Sequence, residues 1–309
     1  MNNIFIIGSE GSVGKGIADY FRSQGCSIIP YDKQKGDYIE KLTYKEFVQL
    51  AGKSRETIYC AESGNRDEYE KNPTLYKRNI KVFEHFCSLV HSLKHDMKIR
   101  YIGGSWTKRN IPANLVVEDT TPNKSHNDKP NAYEIAKIKA EENSYKLAIK
   151  YNLDITFCDW ISIVPNYAEN FSINTMMKEL LSIGVVRYTP GDYGRPLLAA
   201  HDAARALFLY MKDDNKVQKG KCRTILIPGL FTPFELFART VFDTAMEMSR
   251  DKAFKKRARM EKRTDKPPDF LKTRIESKLF NSLGFKPDNS ALRKALKINA
   301  EYAFKLYTK

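Results

Sequence analysis

The sequence predicts an α/β fold: a doubly wound, parallel sheet with a smaller C-terminal part added to it. Three observations carry this prediction. The chain opens on a continuous β-branched and aromatic run, "NIFIIG", of the kind found where a strand is buried on both faces. A glycine-rich turn, "GSEGSVG", follows at once. From there to about residue 165, strand and helix patterns alternate.

After the turn, "KGIADYFRSQG" has the period of an amphipathic helix stopped by Gly25, and "SIIPYD" is a second strand closing on Asp32. Strand, turn, helix and strand in this order make the βαβ unit of a parallel sheet. "LTYKEFVQLAG" is expected to be helical, and "ETIYCAESG" to be a strand running into a loop. "NPTLYKRNIKVFEHFCSLVHSL" is a long helix and "KIRYIGGS" a further strand. Residues 107–130 are rich in Pro, Asn and Asp and read as loop. A helix holding Tyr133 and Lys137 and the strand "DITFCDWISIV" complete the alternation. Beyond residue 165, short strand or loop pieces, helices and polar segments are interleaved without an internal repeat.

The chain has 309 residues, 42% of them hydrophobic and 12% aromatic, enough for one large α/β domain and against disorder. Five scattered cysteines suit reduced thiols rather than a disulfide framework. The N-terminal apolar run is too short for a signal peptide, and no stretch approaches a membrane span, so a cytoplasmic, non-membrane protein is expected. Against 37 acidic residues stand 52 Lys and Arg, a net charge of +15, which points to anionic partners. Much of that charge lies in "SRDKAFKKRARMEKRTDKPP", expected to be a solvated helix end and loop, with a polyanion patch as the alternative.

The glycine turn carries the first chemistry. Gly8, Gly11 and Gly14 follow a strand and open a helix, with Ser12 and Val13 between them. Such a turn lets backbone approach a pyrophosphate, and the helix N-terminus offers free N–H groups and partial positive charge. Asp32, at the end of the second strand, is placed to accept hydrogen bonds from an adenosine ribose diol. That favours NAD over NADP, although Lys33 and Lys35 follow and can offset the repulsion of a 2′-phosphate. Residues 1–165 are therefore expected to form a dinucleotide-binding, Rossmann-type domain. Part of 195–230 returns to it, and 166–309 mainly bind substrate.

A second set lies downstream. Tyr133 and Lys137 are one turn apart on one helix face, and "YIGGSW" delivers Ser105 just past a strand end. The phenol can pass a proton to a carbonyl oxygen as hydride arrives. With an ordinary value near 10, it needs a nearby cation, which Lys137 provides. Ser105 can hydrogen-bond the same oxygen.

Together these motifs resemble the short-chain dehydrogenase/reductase superfamily, and most of all its extended branch, the NAD-dependent epimerase/dehydratase family acting on nucleotide sugars. "YCAESG", with Ala61 and Ser63, resembles the strand and loop that back the cofactor in that family. "NPTLYKRNIKVFEHF" resembles its Asn-Pro-initiated helix, with Asn79 at the buried asparagine. "EDTTPNKSHNDKPNAYEIAKIKAEE" resembles its loop and catalytic helix. The likeness continues through "WISIVPN" and "GDYGRPLLAAHDAARALFLYM". It implies a nucleotide-sugar substrate near Ser105, Trp106, Asn166, Tyr167 and Arg195, and a homodimer with no nucleic-acid or membrane partner.

Several departures narrow the activity. Trp106 and Thr107 stand where dehydratase relatives carry an Asp-Glu pair, and the glutamate typical of UDP-glucuronate decarboxylases is absent. The stretch after Asp32 is short, as in sugar reductases resembling dTDP-4-dehydrorhamnose reductase, which places Asp37 as an adenine contact. Two glycines replace a serine run before Ser105. A ketoreductase acting at C4 of the sugar is the first expectation and a C4 epimerase with tightly held NAD the alternative. A dinucleotide-sensing or RNA-binding relative is a distant third. His201 and Asp202 are expected to be a structural histidine and an N-cap, and the other four histidines to be structural or exposed.

Overall fold

In the computed structural model, residues 3–62, 66–104, 116–117, 130–160, 162–164, 172–214, 217–265 and 274–308 are described. The first half contains β1 (Asn3–Ile7), α1 (Ser12–Ser23), β2 (Ser27–Tyr31), α2 (Tyr44–Ala51), β3 (Glu56–Tyr59), α3 (Arg66–Lys71), α4 (Leu75–His91), β4 (Lys98–Ile102), β5 (Val116–Val117) and α5 (Ala132–Lys150). The second contains β6 (Asp154–Trp160), β7 (Ile163–Val164), α6 (Ser172–Ile183), β8 (Val185–Tyr188), β9 (Gly194–Ala199), α7 (Ala200–Asp213) and β10 (Lys221–Ile227). It closes with β11 (Leu230–Pro233), α8 (Phe234–Met248), α9 (Lys252–Arg257), β12 (Arg259–Lys262), β13 (Arg274–Ile275), α10 (Lys278–Ser282) and α11 (Asn289–Tyr307).

Six strands form one sheet in the order β10-β6-β4-β3-β1-β2, every neighbouring pair parallel. Alternation along β1 explains why both faces are covered. Phe5 and Ile7 enter a core with Phe47, Tyr59, Phe83 and Phe86, while Ile4 and Ile6 enter another with Ile17, Phe21 and Leu207. Helices α2, α4 and α5 thus lie on one face and α1 and α7 on the other. The chain leaves β1 towards β2 and returns on the far side to β3, so the carboxyl ends of β1 and β3 flank the switch point where open α/β sheets bind ligands. Between β2 and β3 lie two short 3₁₀ turns and α2, and β2 is left as the sheet edge.

A third core joins α6, α8 and α11 to β8 and β9 through Met177, Leu180, Phe237, Val241 and Leu296. Here the basic segment departs from expectation. Within its described residues Lys252–Arg257 is helical where a loop was expected, with Asp251 accepting from the Ala253 N–H at 2.8 Å, and Arg259–Lys262 pairs in parallel with β8. Phe254 anchors the helix in the third core, while the lysines beside it stay exposed.

Near the amino ends of the strands, the fully buried Arg100 ties the sheet together. Its guanidinium reaches Glu56 (3.1 Å), Thr156 Oγ1 (2.7 Å) and Asp214 (2.9 Å). Arg223 also pairs with Asp214 and donates to Tyr210 Oη at 2.7 Å. A buried guanidinium is tolerated when several acceptors share it, as here.

Candidate active site

The glycine turn is fixed by contact rather than composition. Gly8 has φ +80°, and a Cβ there would lie 2.8 Å from the Cys60 carbonyl carbon. A Cβ on Gly14 would lie 2.0 Å from the Gly8 oxygen, so α1 can start this close to β1 only with hydrogen at that place. Gly11 is the N-cap residue of α1. A cleft of about 530 Å³ opens beside this turn, lined by Gly8, Gly11, Asp32, Lys33, Asp37, Ala61, Glu62 and Asn79 among others.

Asp32 is buried at the end of β2, where Oδ2 accepts from the Glu10 N–H (2.9 Å) and Oδ1 from the Gln34 N–H (2.8 Å). Its own N–H donates to Asp37 Oδ2 at 3.3 Å. A carboxylate has roughly four acceptor positions, so two remain for hydroxyls from the cleft. Burial, with Asp37 second, pushes the neighbouring Tyr31 phenol up to about 12.

Tyr133 and Lys137 owe their placement to the start of α5. Asn131 Oδ1 accepts from the Glu134 N–H (2.9 Å) and Glu134 Oε2 from the Asn131 N–H (3.2 Å), a capping box that sets the first turn. Lys137 Nζ then lies 5.0 Å from the centre of the Tyr133 ring. Lys137 is buried and donates to Glu62 Oε2 at 2.6 Å. Burial, the largest influence, would lower its ammonium, but the Glu62 carboxylate, with Tyr133 and Tyr69 adding to it, holds Lys137 above the ordinary lysine value. Gly103 is fixed by packing, since a Cβ there would sit 2.2 Å from the Phe157 ring; Gly104 lies against the Lys137 side chain.

The structure therefore gathers Gly8, Gly11, Asp32, Lys33, Asp37, Ala61 and Asn79 on one cleft, with Lys137 joined to it through Glu62. Gly14 sits beneath the turn, Ser12 is exposed, and Val13 packs on the core under α1. Ser63, Ser105, Trp106, Asn166 and Tyr167 lie outside the described residues. Arg195 lies elsewhere, on β9: it donates to Ser172 Oγ and stacks 5.2 Å from the Phe237 ring. Burial lowers it to about 10. Sequence reasoning missed Glu62 and Tyr69. The available signal was a glutamate three residues beyond the end of a wholly buried strand.

Asp202 corrects another expectation. Ala199 is the N-cap residue of α7, and Asp202 lies in the first turn, accepting from the Asp288 N–H (2.6 Å) and pairing with Arg205 (3.0 Å). It joins α7 to the chain entering α11. His201 packs edge-on against Tyr20 at 4.9 Å. Among the described residues no cluster of side chains suits a metal ion, no helix is long and apolar enough to cross a membrane, and all five cysteines are free.

The family described as NAD dependent epimerase/dehydratase matches residues 4–225. A search of curated proteins returns no match. Among solved structures, UDP-glucose 4-epimerase from Brucella ovis, in complex with NAD, is 17% identical with a TM-score of 0.71, covering 98% of this chain and 99% of that one. A dTDP-4-dehydrorhamnose reductase from Clostridium acetobutylicum is 17% identical with a TM-score of 0.68, covering 99% and 100%. RMD from Pseudomonas aeruginosa, complexed with NADPH, is 14% identical with a TM-score of 0.71, again covering 99% and 100%. At these identities the likeness is one of fold.

Proposed function

We propose a function from one premise: the chain belongs to the NAD-dependent epimerase/dehydratase family. On our reading it is a ketoreductase of nucleotide-activated sugars, acting at a ring carbon, C4 of the sugar. The observation that carries this reading is the pairing of Tyr133 with Lys137 on α5, beside a cleft built from the glycine turn and Asp32.

The cleft fits a nicotinamide dinucleotide. Gly8 and Gly14 leave no room for side chains under the turn, and the N-terminus of α1 faces the space where phosphates are held in such folds. Asp32 suits a ribose diol and supports NAD, with Lys33 on the same cleft as the feature an NADP preference would use. Bound there, the dinucleotide supplies the hydride. Tyr133 gives its phenolic proton to the substrate carbonyl oxygen, which becomes the alcohol, and recovers a proton from solvent. The Lys137 ammonium stabilises the phenolate left behind. Ser105 holds the carbonyl oxygen, and Trp106, Asn166 and Arg195 contact the sugar nucleotide from a substrate-binding region, 166–309.

The direct passage from β2 through α2 to β3 supports a reductase over an epimerase. Likeness to the Brucella ovis epimerase supports the second reading, a C4 epimerase, and the two differ in whether NAD survives purification. Exposed Tyr145 and Ile149 on α5 support a homodimer through that helix. Tyr133→Phe tests the chemistry: turnover of UDP-, dTDP-, GDP- or CDP-linked keto-sugars should fall by roughly 10²–10⁴ with dinucleotide affinity kept. Turnover that survives the change overturns the role of Tyr133.

A further inference from the structure

Lys137 belongs to a chain of side chains that leads away from Tyr133. Glu62, which accepts from Lys137 Nζ through Oε2, accepts from Tyr69 Oη through Oε1 at 3.2 Å. Tyr69 Oη in turn accepts from Asn79 Nδ2 at 2.7 Å. The four residues come from α5, the segment after β3, α3 and α4, so separate parts of the fold converge on one ammonium. The Tyr69 ring also meets the Tyr133 ring edge-on at 5.6 Å, so the side chain that braces Glu62 packs against the phenol as well.

We propose that Glu62 is the positioning residue for Lys137: its carboxylate fixes where the ammonium sits and keeps it charged before any dinucleotide arrives, with Tyr69 and Asn79 fixing Glu62 in turn. The proposal rests on Lys137 being the partner of Tyr133. Glu62, Tyr133 and Tyr69 are the groups that act on Lys137, while Tyr59 and Tyr101 on the strands beneath also feel the Glu62 charge. Burial raises Tyr59, Tyr69 and Tyr101, so those three stay neutral and Glu62 supplies the negative charge. A lysine this buried and deprived of its carboxylate gives up its proton more readily.

The test uses the whole protein alone, with lysine Cε labelled by ¹³C and titrated by NMR; the Lys137 signal is assigned from its loss in Lys137→Arg. Glu62→Gln keeps the side-chain shape and removes the charge. Its Lys137 midpoint should fall by at least about one pH unit, a tenfold loss of proton affinity. Glu62→Asp, a second variant should Glu62→Gln fail to fold, draws the carboxylate back and should lower the midpoint part-way. Titration curves for Lys137 that coincide with wild type in either folded variant overturn the proposal. Failure of the wild-type protein to bind NADH or NADPH would instead strike at the dinucleotide reading, and the lysine titration is independent of it.

Discussion

Arg100 and Lys137 are both buried cations, yet they sit at opposite ends of the strands and are built differently. Arg100 reaches acceptors on β3 and β6 and beyond α7, and none of them lines the cleft beside the glycine turn. Guanidinium stays charged at any ordinary pH and its fork suits several acceptors at once. Lys137 instead pairs with one carboxylate, at the edge of a cleft of about 530 Å³ lined by that same Glu62. An ammonium can lose its proton, and its point charge acts on whatever lies next to it, here Tyr133. Several shared acceptors away from the cleft suit a group that holds strands together; one titratable pair on the cleft suits the chemical role proposed for Lys137.

Lys150 and Glu84 supply the control. Their separation, 2.6 Å, equals that of Lys137 and Glu62, but their side chains are 57% and 37% exposed against 9% and 9%. Distance alone says nothing about importance.

The largest expected effect is at the amino edge. Arg100→Met leaves Glu56 buried without its guanidinium, while Asp214 keeps Arg223, and should cost roughly 3–5 kcal/mol of stability in denaturant unfolding, with dinucleotide affinity unchanged. That cost should depend on pH. Burial pushes the Glu56 carboxyl up, against the pull of Arg100. A carboxyl raised in the folded state contributes stability that is complete below its ordinary 4.5 and lost as pH rises through the folded value. Removing Arg100 raises it further, so the gap to wild type should be wider at pH 8 than at pH 5. A gap flat with pH would break the assignment.

Next in size is Lys137→Met, expected to cost about 1–3 kcal/mol because Glu62 can rehydrate from the cleft. Here the pH dependence has the other position. Lys137 is raised in the folded state, so its contribution is complete below its ordinary 10.5 and lost only as pH climbs above that. The difference in melting temperature between wild type and variant should persist to about pH 10 and close beyond it. Lys150→Ala comes last, with no measurable change in melting temperature or binding. A clear drop there would show that exposure is a poor guide to the worth of these pairs.

Much of the scaffold was legible in the sequence because its signals are local. The run "NIFIIG" and the glycine turn each constrain backbone within a few residues, and β1 and α1 form where those signals stand. The Tyr133 and Lys137 spacing was legible for the same reason. What escaped depends on contacts between distant segments. Helix α3, six residues long and mostly charged, has no apolar stripe, yet it brings Tyr69 to Glu62 and Asn79. Strand β12 lies inside a basic run and exists because β8 offers it a partner. Gly103 looked like a lost serine; the Phe157 ring, more than fifty positions along, fills the space a side chain would need.

The central claim is that the carboxyl edge, and not the amino edge, forms the dinucleotide site, with Lys137 part of it. Titration of NADH and NADPH fluorescence against wild type, Lys137→Met and Arg100→Met tests this most directly. The account predicts saturable binding to wild type, tighter for NADH, binding at least about tenfold weaker in Lys137→Met, and wild-type affinity in folded Arg100→Met. No binding to wild type, or equal affinity in wild type and Lys137→Met, would contradict it.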